Sequence, residues 1–229
     1  MNKSQDYLLL LLHQLKTPLT RNKWFLELML DKDYSVLTAK QKEIINDLAF
    51  NNDLMMTLVK DMLTLVNFEK NQGTKLHLEE VDLREVIKAE VTKVTLMLKK
   101  KELRINYIGF DKPAILKIDR LKIGLAIQNV INNAIKYSKE DTEIRIEIKQ
   151  AKDSITLEIQ DSGIGIPKSE APNIFGKFYR SSNAIKNETE GSGLGLYLTR
   201  KIVLMHKGDI WFESRENFGT IFYIKFNLK

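Results

Sequence analysis

Residues 129–138 read Asn-Val-Ile-Asn-Asn-Ala-Ile-Lys-Tyr-Ser and belong to a predicted helix with a long apolar stripe. Asn129 and Asn133 are four positions apart, so they lie on one face of that helix. Buried amides need polar partners, and an amide oxygen is a hard ligand that suits Mg²⁺. Lys136 follows three residues later and can reach a phosphate, and Tyr137 offers an aromatic face. The stretch therefore predicts a polar site on an otherwise apolar helix.

Two glycine clusters follow this helix. Residues 161–165 read Asp-Ser-Gly-Ile-Gly after a predicted strand, and residues 191–195 read Gly-Ser-Gly-Leu-Gly before a predicted helix. Glycines at a helix N-terminus let backbone N–H groups approach an anion, where the helix dipole is favourable. A Rossmann fingerprint fails because Leu196 stands where its third glycine belongs, and P-loop and eukaryotic-type kinase motifs do not occur. Each cluster by itself is also compatible with simple turns.

The sequence around these motifs mixes strands and helices unevenly, without βαβ repeats. This pattern predicts an α+β sandwich. The predicted strands cover residues 75–81, 104–110, 115–118, 142–149, 154–159, 209–214 and 220–227, and the predicted helices cover residues 83–101, 119–137 and 194–206.

Upstream of the sandwich, two long heptad patterns predict an antiparallel helical hairpin. Thr38 is the expected N-cap of the second helix, and we place the domain boundary at residues 72–74. This gives a two-domain α+β chain, with a hairpin domain over 1–72 and a sandwich domain over 75–229. Because a lone hairpin cannot cover both apolar seams, it should form a four-helix bundle with a second copy. The seams comprise Leu8, Leu12, Leu15, Leu19, Asn22, Leu26 and Met29, and Ile45, Leu48, Asn52, Met55, Val59, Met62 and Val66.

Composition excludes several classes of protein. The 229 residues contain no cysteine, which rules out disulfide frameworks, zinc–thiolate sites and cysteine nucleophiles. The net charge of +6 lies wholly beyond residue 72, since residues 1–72 carry nine basic and nine acidic side chains. No stretch alternates aromatic residues with arginine, so nucleic acid is not an expected partner. The basic run at residues 99–101 is typical of a solvated helix end.

Five motifs in order resemble the nucleotide-binding domain of bacterial sensor histidine kinases. They are N-x-x-x-N-A-x-K-Y, D-x-G-x-G, I-F-x-x-F-Y-R from residue 174, G-x-G-L-G-L and G-T-x-F from residue 219. The segment His-Gln-Leu-Lys-Thr-Pro-Leu at residues 13–19 is similar to the phosphoacceptor box of that family. The resemblance implies a dimerisation hairpin followed by an α/β sandwich that binds ATP, a nucleotide fold shared with gyrase, chaperone and MutL-type ATPases.

The resemblance also implies roles for individual residues in binding ATP and Mg²⁺. Asp161 would accept a hydrogen bond from the adenine amino group, and Asn133 would ligate Mg²⁺. Gly163 and Gly165 would let the base and ribose approach closely. The remaining residues that the motifs assign to the nucleotide or its lid are Asn129, Lys136, Tyr137, Phe175, Phe178, Arg180, Gly191, Gly193, Leu194, Gly195 and Thr220.

In the hairpin, the resemblance assigns catalysis to three residues. His13 would be the phosphoacceptor, and its neutral imidazole can attack the γ-phosphate in line. Thr17 lies four residues later on the same helical face, where its hydroxyl could orient water for dephosphorylation of a partner aspartate. Gln14 departs from the Glu or Asp that usually follows the acceptor, and it is neutral.

Three functions remain open at this point. The first is an ATP-dependent histidine kinase that relays phosphate to an aspartate of a response regulator, with phosphatase activity. The second is an ATP-hydrolysing machine, but Asn129 stands where those relatives place a glutamate base. The third is an ATP-switched phosphatase with little kinase activity, which Gln14 keeps open. The expected partners are a second copy and a receiver domain, in the cytoplasm or on the cytoplasmic part of a membrane-anchored sensor.

Overall fold

A computed structural model describes residues 3–31, 36–70, 76–187 and 191–228, without the side chains of residues 3–5. The chain divides into two compact units, Met1–Thr74 with Glu190–Leu194 and Lys75–Thr189 with Gly195–Lys229. The predicted boundary at residues 72–74 lies outside the described residues. None of the described helices is both long and apolar enough to cross a membrane.

The first unit contains two long helices that pack as a hairpin. Helix α1 spans Lys3–Leu30 and continues through Pro18, and helix α2 spans Ala39–Lys70. The predicted N-cap is confirmed, because Gln41 N–H donates to the Thr38 hydroxyl (3.3 Å) while Thr38 N–H donates to the Gln41 side chain (2.9 Å). This reciprocal pair satisfies two N–H groups that would otherwise lack partners.

Only part of each predicted seam is buried within the hairpin. Leu12 on α1 and Val59 and Val66 on α2 form its core. Leu19 and Met62 are partly buried against this core, whereas Leu15 and Met55 are about half exposed. Each helix therefore carries a second apolar stripe that the hairpin itself does not cover. That exposed stripe comprises Leu8, Leu11, Leu15, Phe25 and Met29 on α1 and Ile44, Leu48 and Met55 on α2.

The second unit is the α+β sandwich that the sequence predicts. A mixed five-stranded sheet has the order β2-β4-β5-β7-β6, and β1 pairs with β3 in a small separate sheet. The strands are β1 Glu79–Asp82, β2 Arg104–Ile108, β3 Ile115–Ile118, β4 Glu143–Ala151, β5 Ser154–Gln160, β6 Asp209–Arg215 and β7 Gly219–Asn227. The helices are α3 Leu83–Lys93, α4 Thr95–Lys100, α5 Arg120–Tyr137, α6 Ser182–Asn187 and α7 Gly195–Met205, with a 3₁₀ turn at Ala171–Asn173.

The core of this unit lies on one face of the five-stranded sheet. The register places Ile146 opposite Ile159, and Ile159 opposite Phe222, and all three are buried. Alternation of buried and exposed residues along these strands leaves the other face to solvent. Helix α5 packs between α3 and α7 and contacts β5, so its apolar stripe is buried by its neighbours.

The N-terminal end of α5 is fixed by Asp119 and His206. The Asp119 carboxylate caps the helix by accepting from Lys122 N–H (3.1 Å), and its own N–H donates to His206 Nε2 (3.0 Å). His206 Nδ1 lies 2.8 Å from the Ile202 carbonyl oxygen. Because Nε2 accepts, Nδ1 carries the proton, and burial lowers the pKa of His206 in keeping with a neutral ring. His206 therefore joins the end of α7 to the start of α5.

Two predictions about secondary structure were wrong. The single helix expected over residues 83–101 breaks at Val94, where four of the five residues 91–95 are β-branched and the Thr95 hydroxyl bonds back to the Thr92 carbonyl. The polar stretch at residues 163–193, for which the sequence predicted no helix, contains α6 and the 3₁₀ turn. Both elements are too short for a periodic pattern of apolar residues to predict them.

Candidate functional site

The last turn of α5 presents most of the predicted polar residues. Ile131, Ala134 and Ile135 are buried, whereas Asn133 and Lys136 are only partly buried on the opposite face. The ammonium of Lys136 lies 5.7 Å from the centre of the neighbouring aromatic ring of Tyr137. Burying the apolar residues on one face therefore directs the amide and the ammonium to the other.

Asn129 connects α5 to the start of α7. Its amide nitrogen donates to the Gly195 carbonyl oxygen at 3.1 Å, and the Thr199 hydroxyl lies 3.5 Å away. A Cβ on Gly195 would meet this asparagine at ordinary contact distance. Asn129 therefore holds the N-terminus of α7 against α5.

Asp161 is a carboxylate removed from solvent, with only 6% of its surface exposed. Its Oδ1 accepts from Gly163 N–H (2.8 Å) and from Thr220 N–H (3.2 Å). Burial raises the pKa of Asp161 to about 6, and these two hydrogen bonds lower it by less. Such a group is stabilised by a ligand that donates to it, and perturbed carboxyls of this kind are characteristic of functional sites.

Gly163 and Gly165 are needed by the packing of the backbone itself. A Cβ on Gly163 would lie 2.3 Å from the Tyr137 carbonyl oxygen, and one on Gly165 would lie 2.2 Å from the Arg215 carbonyl oxygen. Gly165 also has a φ of +66°, which disfavours other residues. The resemblance assigns these glycines to contacts with the ligand, and the structure gives them a second reason, which is to bring Asp161 against the end of α5.

Thr220 contributes through its main chain. Its N–H donates to Asp161 and its carbonyl oxygen accepts from Asp161 N–H (2.9 Å), while its hydroxyl lies 2.8 Å from the Ser214 hydroxyl. Ser214 also accepts from Ile166 N–H. Ser214, which the sequence motifs do not include, therefore ties three segments around the buried carboxylate.

The three predicted lid residues have different environments. Phe175 packs edge-on against Phe212 on β6, with the Arg200 guanidinium over its ring. Phe178 is 52% exposed and has a φ of +63°, a backbone region that bulky residues rarely adopt. Arg180 donates to the Ala184 carbonyl oxygen of α6. Phe175 is therefore anchored against the sheet.

Glu170 organises this segment and was missed by the sequence motifs. Its carboxylate accepts from the Tyr179 hydroxyl (3.0 Å), from Ser182 N–H (2.8 Å) and from the Ser182 hydroxyl (2.5 Å). These bonds lower the pKa of Glu170, those from Ser182 most. The polarity of residues 181–190 predicts a run that is mobile without nucleotide. Its described part contains helix α6, Ser182–Asn187, and residues 188–190 lie outside the described part.

The second glycine cluster leads into α7. Gly191 and Gly193 have φ values of +129° and +70°, where glycine is favoured. The Ser192 hydroxyl accepts from Leu194 N–H at 3.2 Å. This turn ends at Gly195, whose carbonyl oxygen is the one bound by Asn129.

In the hairpin unit, the three predicted catalytic residues are exposed on α1. His13 and Gln14 are both exposed, so the imidazole can be reached from outside the hairpin. The Thr17 hydroxyl lies 3.4 Å from the His13 carbonyl oxygen. Pro18 has no N–H, which leaves the Gln14 carbonyl without its usual helical donor.

A magnesium site in this chain would depend on few protein ligands. Among the residues that the structure describes, no three His, Asp or Glu side chains are grouped to hold a metal. Mg²⁺ is commonly bound by one or two protein oxygens together with phosphate oxygens and water. The amide oxygen of Asn133 fits that pattern.

Two family models match the chain, one in each half. The model described as "His Kinase A (phospho-acceptor) domain" matches residues 7–71. The model described as "Histidine kinase-, DNA gyrase B-, and HSP90-like ATPase" matches residues 118–229. The chain belongs to the sensor histidine kinase family.

Curated sensor histidine kinases align along almost the whole chain. Sensor histidine kinase WalK of Bacillus subtilis (strain 168) is 30% identical, over 91% of this chain and 34% of its own length. BarA of Escherichia coli (strain K12) is 31% identical, over 97% of this chain and 24% of its own length. The chain therefore spans about a third or less of these relatives.

Solved structures of histidine kinases share the fold. The catalytic domain of histidine kinase ThkA matches with a TM-score of 0.59 and 26% identity, over 66% of this chain and 98% of that domain. ThkA in complex with the response regulator protein TrrA matches with a TM-score of 0.66 and 24% identity, over 95% of this chain and 59% of that chain.

In this member of the family, hydrogen bonds join two sets of the predicted site residues. Asp161, Gly163 and Thr220 are joined by hydrogen bonds, and Asn129 is joined to Gly195. Ser138, at the end of α5, bridges to Gly163 through its main chain. Its hydroxyl is buried without a partner in the described part of the chain. It belongs to the quoted stretch, but its identity alone gave no signal of this position.

We expect Asp161→Asn to stabilise the free kinase and weaken nucleotide binding. Because burial raises the pKa of Asp161, the native state holds its proton more tightly than the unfolded chain, and wild-type stability decreases as the pH rises from about 4 to about 6. Asparagine does not ionise, so the variant does not lose stability as the pH rises. Its Tm should therefore exceed that of the wild type at pH 8 and approach it at pH 4. Replacing the charged acceptor should weaken ADP binding roughly 10- to 100-fold.

The measurement is thermal unfolding across this pH range, together with calorimetric titration of ADP. Asp209→Asn is the control, because Asp209 is exposed on β6. A variant that is less stable at pH 8 and binds ADP normally would contradict the site.

Proposed function

We propose that this chain is the catalytic part of a protein-histidine kinase. It transfers the γ-phosphate of ATP to His13 and from there to an aspartate of a response regulator. The observation that carries the proposal is the buried Asp161 carboxylate, whose Oδ1 is held by two backbone N–H groups. It occurs in a chain whose first helix exposes His13 ahead of Pro18. Membership of the family supports the same activity.

Adenine is the group that suits Asp161. Its exocyclic amine donates hydrogen bonds, and the carboxylate accepts them better than a neutral group does. Tyr137 lies next to Ser138, which bridges to Gly163, so its ring can pack on the base. Lys136 on the partly buried face of α5 supplies a cation for the phosphates.

The transfer itself is a nucleophilic displacement at phosphorus. A ring nitrogen of His13 donates its lone pair to the γ-phosphorus, the bond to the β–γ bridging oxygen breaks, and ADP leaves with that electron pair. The ring becomes cationic and releases its remaining N–H proton to water. Mg²⁺ would be held by the amide oxygen of Asn133 and, when bound, neutralises charge on the phosphates.

Gln14 sets the speed of this step. Its side-chain oxygen can accept from the ring N–H and orient the imidazole, but it carries no charge to stabilise the cationic ring. The attacking ring nitrogen uses its own lone pair, so a neutral side chain at position 14 still permits the reaction. We therefore expect autophosphorylation that is slow but measurable.

A groove on the hairpin supports a receiver domain as the acceptor. It has a volume of about 470 Å³ and begins one helical turn after His13. Three lysines and Asp53, which pairs with Lys23 at 2.9 Å, surround a floor that contains Met56 and Leu63. The excess of lysine makes the groove complementary to an acidic surface. ThkA has been solved with a response regulator. The lysines are Lys16, Lys23 and Lys60.

A hydrolytic machine is less well supported. Such enzymes need a base to take a proton from water, and Asn129 is an amide whose nitrogen donates to the Gly195 carbonyl oxygen. An ATP-switched phosphatase remains the second candidate, because Gln14 is neutral and Thr17 lies on the exposed face beside His13. Either role would be carried out in the cytoplasm, where ATP and receiver domains occur.

We further propose that the hairpin forms a homodimer. The exposed apolar stripe defined above runs along both helices, and burying one leucine side chain contributes roughly 1.5–3 kcal/mol. A second copy offers the same stripe and completes a four-helix bundle.

Incubation with γ-labelled ATP and Mg²⁺ tests the proposed activity. We expect label that is stable to alkali and labile to acid, as expected of phosphohistidine, and we expect it on His13. Asn133→Ala should abolish labelling because the metal loses its ligand, and His13→Gln should abolish it while leaving ADP binding intact. Label in His13→Gln, or acid-stable label in the wild type, would refute the assignment.

The balance of kinase and phosphatase activity should respond to residues 14 and 17 separately. Gln14→Glu adds a charge beside the cationic ring, so the initial labelling rate at saturating ATP should rise, by less than ~10²-fold. Thr17→Ala should leave labelling unchanged and slow dephosphorylation of the phosphorylated regulator.

Both rates are measured on the same preparations, so each variant is the control for the other. A labelling rate that is unchanged in Gln14→Glu would show that its charge is irrelevant, and equal loss of both activities in Thr17→Ala would remove its proposed role.

Sedimentation at micromolar concentration tests the dimer. We expect a dimer for the wild type and dissociation for Leu15→Glu, because that change places a charge in the exposed stripe. Leu10→Glu is the matched control, since Leu10 is equally exposed on α1 but lies off the stripe. A monomeric wild type, or equal effects of the two substitutions, would argue against the interface.

A further inference from the structure

Lys101 caps the C-terminal end of α5 from a distant part of the chain. Its ammonium nitrogen lies 3.1 Å from the Ile135 carbonyl oxygen, 2.6 Å from that of Lys136 and 3.4 Å from that of Ser138. The last carbonyls of a helix lack intrahelical donors, and a positive charge there is favourable. Three donors on one ammonium therefore meet three acceptors that need them.

The main chain of Lys101 is held as well. Its carbonyl oxygen accepts from Asp141 N–H at 3.1 Å, so the segment that follows α5 folds back over it. The side chain is partly buried, whereas Lys99 and Lys100 are exposed. The basic run at residues 99–101 was expected to be a solvated helix end, and for Lys101 that expectation was wrong.

The carbonyls that Lys101 binds belong to the residues that shape the adenine end of the proposed site. Tyr137, whose ring can pack on the base, lies in this turn, and Ser138 bridges to Gly163. Gly163 in turn donates its N–H to Asp161 at 2.8 Å. A shift in the end of α5 would therefore be passed to the buried carboxylate through two contacts.

We propose that Lys101 is a positioning residue for adenine recognition, acting by fixing the last turn of α5 against Gly163 and Asp161. This inference rests on the proposed function, since it assumes that the nucleotide binds there. Lys101 itself binds only backbone carbonyls, so its effect on the ligand is indirect.

The test compares Lys101→Met with Lys100→Met, which removes the same charge from the neighbouring exposed position. Each variant is titrated with ADP and, separately, with adenosine, which has no phosphate. We expect Lys101→Met to weaken both ligands by a similar factor, about tenfold, and Lys100→Met to change neither. Lys101→Arg keeps the charge and should recover most of the affinity. In autophosphorylation, KM for ATP should rise while kcat stays unchanged.

Each other outcome overturns a specific statement. A wild-type chain that binds neither ligand would overturn the proposed function. Wild-type affinity in Lys101→Met would overturn the inference alone. Loss of ADP affinity with unchanged adenosine affinity would also overturn it, because the lysine would then act by charge on the phosphates. If Lys101→Met does not fold, Lys101→Gln, which keeps donors without the charge, is titrated in its place with the same criteria.

Discussion

The site depends on one carboxylate that folding removes from water. Burial raises the pKa of Asp161 from 3.8 to about 6, which corresponds to roughly 3 kcal/mol at neutral pH. This cost is what remains after two backbone N–H groups have offset part of the burial. The chain therefore maintains a charged group that a donor-bearing ligand would stabilise, and the glycines and hydroxyls around it serve to keep it in place.

Helix α5 gives this carboxylate its surroundings. Each end of the helix is capped by a side chain, Asp119 at the start and Lys101 at the end. His206 and Asn129 join α5 to the two ends of α7. A buried helix held at both ends can present polar residues at fixed positions, which is what recognition of a nucleotide requires. Through these contacts, residues far apart in sequence meet around α5.

The sequence predicted the periodic elements well and the long-range contacts poorly. The bounds of β3 were predicted without error, and those of α5 within one residue, because apolar residues recur along each at the period of its structure. Helix α6 has six residues and too little apolar surface to show a period. Lys101 and Glu170 were missed for a different reason. Their partners lie in other segments of the chain. A single lysine or glutamate in a sequence does not indicate which carbonyl or hydroxyl groups it will contact in the fold.

The buried state of Asp161 can be measured directly. Nuclear magnetic resonance of the side-chain carboxyl carbon of Asp161 gives its titration between pH 3 and pH 8, with and without ADP. The account predicts a pKa near 6 in the free chain and a lower value with ADP, because hydrogen bonds from the adenine amine favour the charged form. A pKa close to 3.8 that ADP leaves unchanged would contradict it.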